Sequence, residues 1–143
     1  MSRPSARPPG RVAVIGLGLI GGSLARRLAP ATELSAYDPD PATRRAAGAA
    51  GIDVAGSIGA AVTGADLVVL ATPLGAYPDV LRLVAESAGA GTTLTDVASV
   101  KVPALVAART LAGDLRWVGG HPMAGTERSG FAASDTGLFD GAA

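Results

Sequence analysis

Cysteine is absent from the 143 residues, which excludes disulfides, thiolate metal sites and cysteine nucleophiles. An excess of charge is also lacking: twelve acidic residues balance twelve basic ones, whereas nucleic acid and anionic membranes attract a net basic field. No apolar run approaches the roughly 20 residues of a membrane helix. We therefore expect no nucleic-acid or membrane partner, and the lack of cysteine favours a cytoplasmic location.

The length bounds the domain count, because 143 residues suffice for one ordinary domain and not for two. The first ten residues, MSRPSARPPG, are rich in arginine and proline, and we predict a disordered lead-in from Met1 to Gly10. The tail FAASDTGLFDGAA contains no stop signal. We expect residues 11–143 to form one domain that is truncated before its final strands.

From Arg11 onward, short β-branched runs alternate with alanine-rich helical stretches. This rhythm is typical of βαβ units, so the predicted fold is α/β, a doubly wound and mostly parallel sheet of the Rossmann type. Predicted strands are 11–16, 33–38, 52–56, 66–73, 92–97 and 115–120. Predicted helices are 19–28, 41–50, 57–65, 78–86 and 102–111.

A glycine motif, Gly16-x-Gly18-x-x-Gly21, follows the first predicted strand and opens the first predicted helix. A tight turn requires the first glycine, close approach of a pyrophosphate the second, and packing of helix on strand the third. The amides of Leu19 and Ile20 would then face the phosphates at the positive end of the helix dipole. The motif predicts a dinucleotide site, although a plain glycine turn is the alternative.

Asp38 ends the second predicted strand, about 20 residues after the glycine motif, where an acidic residue accepts hydrogen bonds from the adenine ribose. Its carboxylate would repel a 2′-phosphate, so we predict NAD as the cofactor. Arg44 and Arg45 keep NADP as the less favoured option. The alternative is that the DPDP segment is only a turn and helix cap, with Asp40 capping and Asp38 solvated.

Thr72 and Pro73 close the fourth predicted strand. Ligands of open α/β sheets bind at the carboxyl ends of the strands, so these two residues could form a wall beside the cofactor. A strand that simply ends at proline explains them equally well.

The only histidine of the chain, His121, follows the last predicted strand, and Ser99 follows the strand before it. Both therefore lie at the carboxyl edge of the predicted sheet. Dehydrogenation of an alcohol requires a base with a pKa near neutrality, which an imidazole has, and a serine hydroxyl can hold the substrate hydroxyl in line. We predict that His121 and Ser99 are catalytic, against the alternative of a structural histidine.

Three charged residues lie near this edge in sequence: Lys101, Glu127 and Arg128. The two cations could bind an anionic substrate, and Glu127 could pair with either of them. A solvated charge at a helix start or on a loop is an equally good interpretation of each. The sequence contains no metal-ligand cluster, so we expect no metal.

Several motifs together resemble the prephenate dehydrogenase family, which includes arogenate and cyclohexadienyl dehydrogenases. They are VAVIGLGLIGGSLA, AYDPDP, DLVVLATP, TDVASVK and GGHPMAGTERSG, and the last two are the specific ones. The resemblance runs from about Arg11 to the chain end and concerns the family's N-terminal nucleotide-binding domain.

The resemblance implies oxidative decarboxylation of prephenate by NAD to 4-hydroxyphenylpyruvate, a step of tyrosine biosynthesis. His121 matches the histidine that polarises the ring hydroxyl, Ser99 the serine that bonds the same hydroxyl, and Glu127 an acidic residue associated with access to the pocket. The family's C-terminal helical domain, which builds a homodimer and binds substrate carboxylates, is absent here. We therefore expect little or no turnover from this chain alone.

Three alternatives stay open at this point. The substrate could carry an amino group, as in arogenate or amino-deoxyprephenate. The chain could resemble a β-hydroxyacid dehydrogenase, which shares the glycine loop but not the GGHPMAGTE segment. It could also be an NAD-binding module without chemistry, for which a base such as His121 would have no use.

Overall fold

The computed structural model describes residues 7–142 and contains one sheet of five parallel strands. The strands are β1 (Arg11–Ile15), β2 (Glu33–Tyr37), β3 (Leu67–Leu70), β4 (Thr93–Asp96) and β5 (Arg116–Val118). The helices are α1 (Leu19–Leu28), α2 (Pro41–Ala49), α3 (Ile58–Val62), α4 (Tyr77–Ser87) and α5 (Lys101–Leu111), with 3₁₀ turns at Leu74–Ala76 and Phe131–Ala133. Within the described range, no helix is long and apolar enough to cross a bilayer.

The strand order is β2-β1-β3-β4-β5, so the chain reverses its direction across the sheet between β1 and β3. Both neighbours of β1 pair with it in register, Val14 facing Ala36 on one side and Val69 on the other. A doubly wound sheet binds its ligands in the crevice that this reversal opens at the carboxyl ends of the strands. The predicted fold class is therefore confirmed, and the topology indicates where a site should lie.

Both faces of the sheet are covered, as continuous apolar strands require. Side chains alternate along β1: Ala13 and Ile15 pack into the core shared with α3, α4 and α5, while Val12 and Val14 pack into the core under α1 and α2. All four are at most 1% exposed. The sheet is thus a rigid platform whose carboxyl edge positions the loops.

The third predicted strand, residues 52–56, is wrong as a full strand. It forms one bridge, Val54 opposite Ala36, outside β2. The run is confined between Gly51, whose φ of +86° turns the chain, and Gly56, so too few residues remain to extend the ladder. The fourth predicted strand also ends early, at Leu70, because Pro73 begins a 3₁₀ turn and has no amide to donate. The remaining predicted elements are present with ends shifted by a few residues.

The predicted lead-in, Met1 to Gly10, falls mostly outside the described residues, since residues 1–6 lie beyond them. Its last residues are held by the domain. The Gly10 amide donates to the Asp66 carboxylate at 2.9 Å, and the Thr32 hydroxyl donates to the Gly10 carbonyl at 2.8 Å.

The segment after β5 returns across the molecule and packs on α1. We call residues 129–142 the C-terminal strap. Phe131 is 6% exposed in the core under α1, and the Arg26 guanidinium lies 4.4 Å from its ring centroid. A Cβ on Gly22 would lie 2.8 Å from the Phe131 ring, so the helix is small where the strap crosses it. Farther along, the Asp135 amide donates to the Ser23 hydroxyl at 2.9 Å.

Phe131→Ala tests whether the strap is part of the folding unit. Removing a buried aromatic ring leaves a cavity beneath α1, and we expect the free energy of unfolding to fall by about 3 kcal/mol. Val102→Ala, at a side chain 72% exposed on α5, is the control and should change it by less than about 0.5 kcal/mol. Urea denaturation followed by circular dichroism measures both. Equal stability of the two variants would show that the strap packs only loosely.

Candidate functional site

The turn between β1 and α1 depends on two glycines that have no room for a side chain. Gly16 has a φ of +97°, and a Cβ there would lie 2.6 Å from the Ala71 carbonyl oxygen. A Cβ on Gly21 would lie 1.9 Å from the Gly16 carbonyl oxygen. Gly18 differs, because a Cβ there would meet no atom within 4 Å. Nothing inside the protein requires that third glycine, which leaves open space above the helix N-terminus.

That open space belongs to a cleft of about 680 Å³ at the carboxyl ends of β1 and β3. Seven of the eight predicted cofactor residues line it: Gly16, Gly18, Leu19, Ile20, Asp38, Thr72 and Pro73. Gly21 does not line it, since it lies under the turn. The lining is mostly apolar, and it includes Ile58 of α3 and Val80 of α4, which sequence reasoning did not select.

Ser129 and Gly130 of the C-terminal strap also line the cleft and were missed from the sequence. The strap has no helical or strand periodicity that could have identified it. The one available signal was the second glycine of the Gly21-Gly22 pair, because a helix that is small on a second face must accept another segment there.

Asp38 lies at the mouth of the cleft, and its carboxylate is fixed by the backbone. Oδ2 accepts from the Leu17 amide at 2.8 Å, and Oδ1 accepts from the Asp40 amide at 2.9 Å. Asp40 caps α2 by accepting from the Ala42 and Thr43 amides. A bond from the Thr43 hydroxyl lowers the pKa of Asp40, with the two amides adding to it. Capping by Asp40 therefore leaves Asp38 directed at the cleft, and the two roles coexist.

Thr72 contributes a buried polar atom to the cleft. Its Oγ1 has no hydrogen-bond partner among residues 7–142. Buried hydroxyls are normally paired, and one without a protein partner that lines a cleft is suited to bond a ligand. Pro73, beside it, forms part of the cleft wall.

At the end of β4 the Asp96 carboxylate is 1% exposed and accepts from several donors. The Lys101 ammonium reaches both of its oxygens at 2.6 Å, and the Tyr77 hydroxyl reaches Oδ2 at 3.1 Å. The Gly120 amide donates to Oδ1 at 3.1 Å, and the Ala98 amide to Oδ2 at 3.2 Å. Burial, with the neighbouring Asp96 charge, raises the pKa of Tyr77 well above its ordinary value, so Tyr77 stays a donor. We call these five residues the Asp96 cluster.

The predicted catalytic residues follow adjacent strands. Ser99 comes three residues after β4, and His121 three residues after β5; these strands pair with Thr95 opposite Val118. Both side chains are exposed and make no hydrogen bond with the described residues. Neither lines the cleft. The fold thus brings the two loops to one edge beside the cleft, and the catalytic roles stay predictions.

The three predicted substrate residues are not brought together. Lys101 is bound in the Asp96 cluster, whereas Glu127 and Arg128 are exposed on the loop after His121. The Arg128 amide donates to the Thr126 hydroxyl at 3.1 Å, which turns the loop locally. Among the residues described, no group of three or more His, Asp or Glu side chains could hold a metal ion.

A parallel sheet in this order, with a glycine turn at its reversal point and a carboxylate ending the second strand, defines a dinucleotide-binding domain of the Rossmann type. The chain belongs to the prephenate dehydrogenase family. The family's sequence model described as "Prephenate dehydrogenase, nucleotide-binding domain" matches residues 20–143.

Individual relatives agree with this assignment. A prephenate dehydrogenase of Lactococcus lactis is 31% identical over 138 residues, covering 92% of this chain and 39% of the relative. The crystal structure of prephenate dehydrogenase from A. aeolicus with hydroxyphenyl propionate and NAD⁺ superposes with a TM-score of 0.84 at 29% identity, covering 96% of this chain and 50% of that one. Synechocystis arogenate dehydrogenase gives 0.83 at 29%, covering 92% and 48%. The chain spans 37% to 45% of the length of the curated relatives it matches.

The two kinds of glycine predict opposite outcomes on substitution. Gly21→Ala forces a methyl group against backbone and should lower the free energy of unfolding by more than about 3 kcal/mol. Gly18→Ala meets only open space and should cost less than about 1 kcal/mol, the penalty of alanine at a helix N-cap. Thermal unfolding of the two variants beside the unaltered chain measures this difference. Similar loss of stability in both would contradict the assignment of Gly18 to the cleft.

Proposed function

We propose that this chain is the nucleotide-binding domain of an NAD-dependent dehydrogenase that converts prephenate to 4-hydroxyphenylpyruvate with loss of carbon dioxide. The observation that carries the proposal is the cleft at the sheet reversal, bordered by the loops of Ser99 and His121. The family membership supports the same reaction. The relatives named above supply the substrate class, since several are called prephenate dehydrogenases.

The residues of the cleft fit a nicotinamide dinucleotide. Gly18 leaves space for a pyrophosphate at the N-terminus of α1, where the free amides of Leu19 and Ile20 favour negative charge. The Asp38 carboxylate offers remaining acceptor capacity to ribose hydroxyls. The unpartnered Thr72 hydroxyl is available for a further hydrogen bond.

The same residues favour NAD over NADP. A 2′-phosphate would meet the Asp38 carboxylate, and like charges repel. Arg44, the cation that could offset this, donates to the backbone carbonyls of Asp38 and Pro39 at 2.7 and 3.0 Å and lies 5.6 Å from the Tyr37 ring centroid. Its guanidinium is thus partly committed to closing the turn after β2.

The chemistry requires a group that holds the substrate hydroxyl. When bound, NAD⁺ accepts a hydride from the ring carbon that bears this hydroxyl. His121 hydrogen-bonds and polarises the hydroxyl, and Ser99 fixes its direction. The bond to the departing carboxylate breaks with its electron pair entering the ring, which becomes aromatic. No net proton is released, so the imidazole acts by polarising the hydroxyl and does not have to give up a proton to solvent.

Arogenate is the second candidate substrate. The similarity to Synechocystis arogenate dehydrogenase is as extensive as that to the prephenate enzyme from A. aeolicus. Prephenate and arogenate share the ring, its hydroxyl and its carboxylate, and they differ in the side chain, which carries a keto or an amino group. Assay of the whole protein with each compound, following the absorbance of reduced nicotinamide, decides between them.

Cofactor preference tests the role of Asp38. Isothermal titration of the chain should give NAD⁺ at least about tenfold tighter than NADP⁺, and Asp38→Asn should lose about tenfold in NAD⁺ affinity because a charge-assisted hydrogen bond is removed. Asp40→Asn is the matched control, since asparagine still caps a helix, and it should retain the NAD⁺ preference. A preference for NADP⁺ in the unaltered chain would refute the assignment.

Replacement of the single histidine tests whether the domain is catalytic. In the whole protein, His121→Asn should lower kcat at least about 100-fold because hydroxyl polarisation is lost, while NAD⁺ affinity stays unchanged. Asp114→Asn, at the opposite end of β5, is the control and should keep full activity. Stopped-flow and steady-state assays with prephenate measure both. Undiminished turnover in His121→Asn would exclude the proposed chemistry and favour a domain that binds NAD without acting on it.

A further inference from the structure

We propose that Lys101 and Asp96 are positioning residues, which fix the backbone before His121 to the turn that carries Ser99. The inference rests on the proposed function, because it explains how two exposed catalytic side chains of that function keep their places. It also assigns Lys101 a different task from the substrate binding that the sequence suggested.

The first observation is that Gly120 is held at both ends of its peptide unit. Its amide donates to Asp96 Oδ1 at 3.1 Å, and its carbonyl accepts from the Lys101 ammonium at 2.5 Å. Gly120 directly precedes His121, so the Cα of the histidine is anchored one residue away from these bonds. A Cβ on Gly120 would lie 2.7 Å from the Asp96 carbonyl oxygen, which shows how closely the two segments meet.

The second observation is that the same cluster holds the turn of Ser99. Asp96 and Lys101 flank this turn in sequence, and their ion pair closes it like a clasp. The Ala98 amide, next to Ser99, donates to Asp96 Oδ2 at 3.2 Å. One buried carboxylate therefore sets the backbone on both sides of the substrate position, which neither catalytic side chain can do through contacts of its own.

The third observation concerns the capacity of Lys101. An ammonium has three donors, and here there are three acceptors: both Asp96 oxygens and the Gly120 carbonyl. No donor remains for a substrate carboxylate. Asp96 is fully buried at its side chain, so releasing Lys101 would leave a buried anion without its cation, which is strongly unfavourable.

Tyr77 extends the cluster toward the cofactor cleft. It begins α4 directly after Ala76, which lines the cleft, and its hydroxyl donates to Asp96. The side chain is completely buried. The cleft wall and the two catalytic loops are thus referred to the same carboxylate, which is the geometry that hydride transfer between a bound cofactor and a held substrate requires.

The experiment compares Lys101→Met with Arg11→Met. Arg11 also pairs a partly buried cation with a carboxylate, that of Glu33, but at the amino end of the sheet. Two readouts are taken: kcat and KM for prephenate in the whole protein, and the NMR relaxation of the His121 ring in this chain. Because His121 is the only histidine of the 143 residues, its ring signals need no further assignment.

We expect Lys101→Met to lower kcat on the order of 100-fold while KM stays within about twofold, since misplacement of a catalytic group affects the transition state more than binding. The His121 ring should become more mobile in this variant and stay unchanged in Arg11→Met. Lys101→Arg, which keeps the charge, should recover most of the loss. A raised KM with normal kcat would overturn the proposal and return Lys101 to substrate binding.

Two features keep the result decisive. An unchanged His121 ring in folded Lys101→Met refutes positioning whether or not prephenate is turned over, so failure of the proposed function is distinguishable from failure of this inference. If Lys101→Met does not fold, hydrogen exchange in the unaltered chain replaces it. The Gly120 amide should then exchange at least tenfold more slowly than that of Gly125 on the same loop, and equal rates would overturn the proposal.

Discussion

The close contact between the backbone of α1 and the turn after β1 is the constraint on which the rest of the molecule depends. Gly21 lies so near the Gly16 carbonyl that no side chain fits, and this contact fixes where the helix begins. The N-terminus of α1 then points into the crevice between β1 and β3, the Asp38 carboxylate is bound to the Leu17 amide, and the strap can cross the helix at Gly22. A sheet with both faces buried makes this arrangement rigid, because the strands have no freedom to adjust.

At the other side of the reversal, structural and chemical tasks are divided between neighbouring residues. The buried Asp96 cluster holds the backbone, whereas Ser99 and His121 are exposed and free of protein partners. A catalytic imidazole that must bond a substrate hydroxyl cannot also spend its nitrogen atoms on the protein. Its position has to come from the chain that carries it, and the double anchoring of Gly120 supplies this position.

The sequence predicted the fold and the cofactor cleft well because both rest on local patterns. Hydrophobic runs, the glycine spacing and Asp38 are short-range signals, and the residues they select line one cleft. The third strand failed because two glycines shorten it, and no pattern reveals how many ladder partners a run will find. Lys101 was assigned by its charge alone, since its partners are fixed by tertiary packing. The strap was missed for the same reason: Ser23 and Asp135, which hydrogen-bond, are 112 residues apart.

The central claim is that the cleft holds a nicotinamide dinucleotide with its reactive ring beside His121. NMR of the single histidine, in the chain titrated first with ADP-ribose and then with NAD⁺, tests it directly. Both ligands should shift the amides of Gly18 and Asp38, because they share the adenosine and the pyrophosphate. Only NAD⁺, which adds the nicotinamide, should shift the His121 ring. Equal His121 shifts with both ligands, or none with either while the cleft is saturated, would contradict the account.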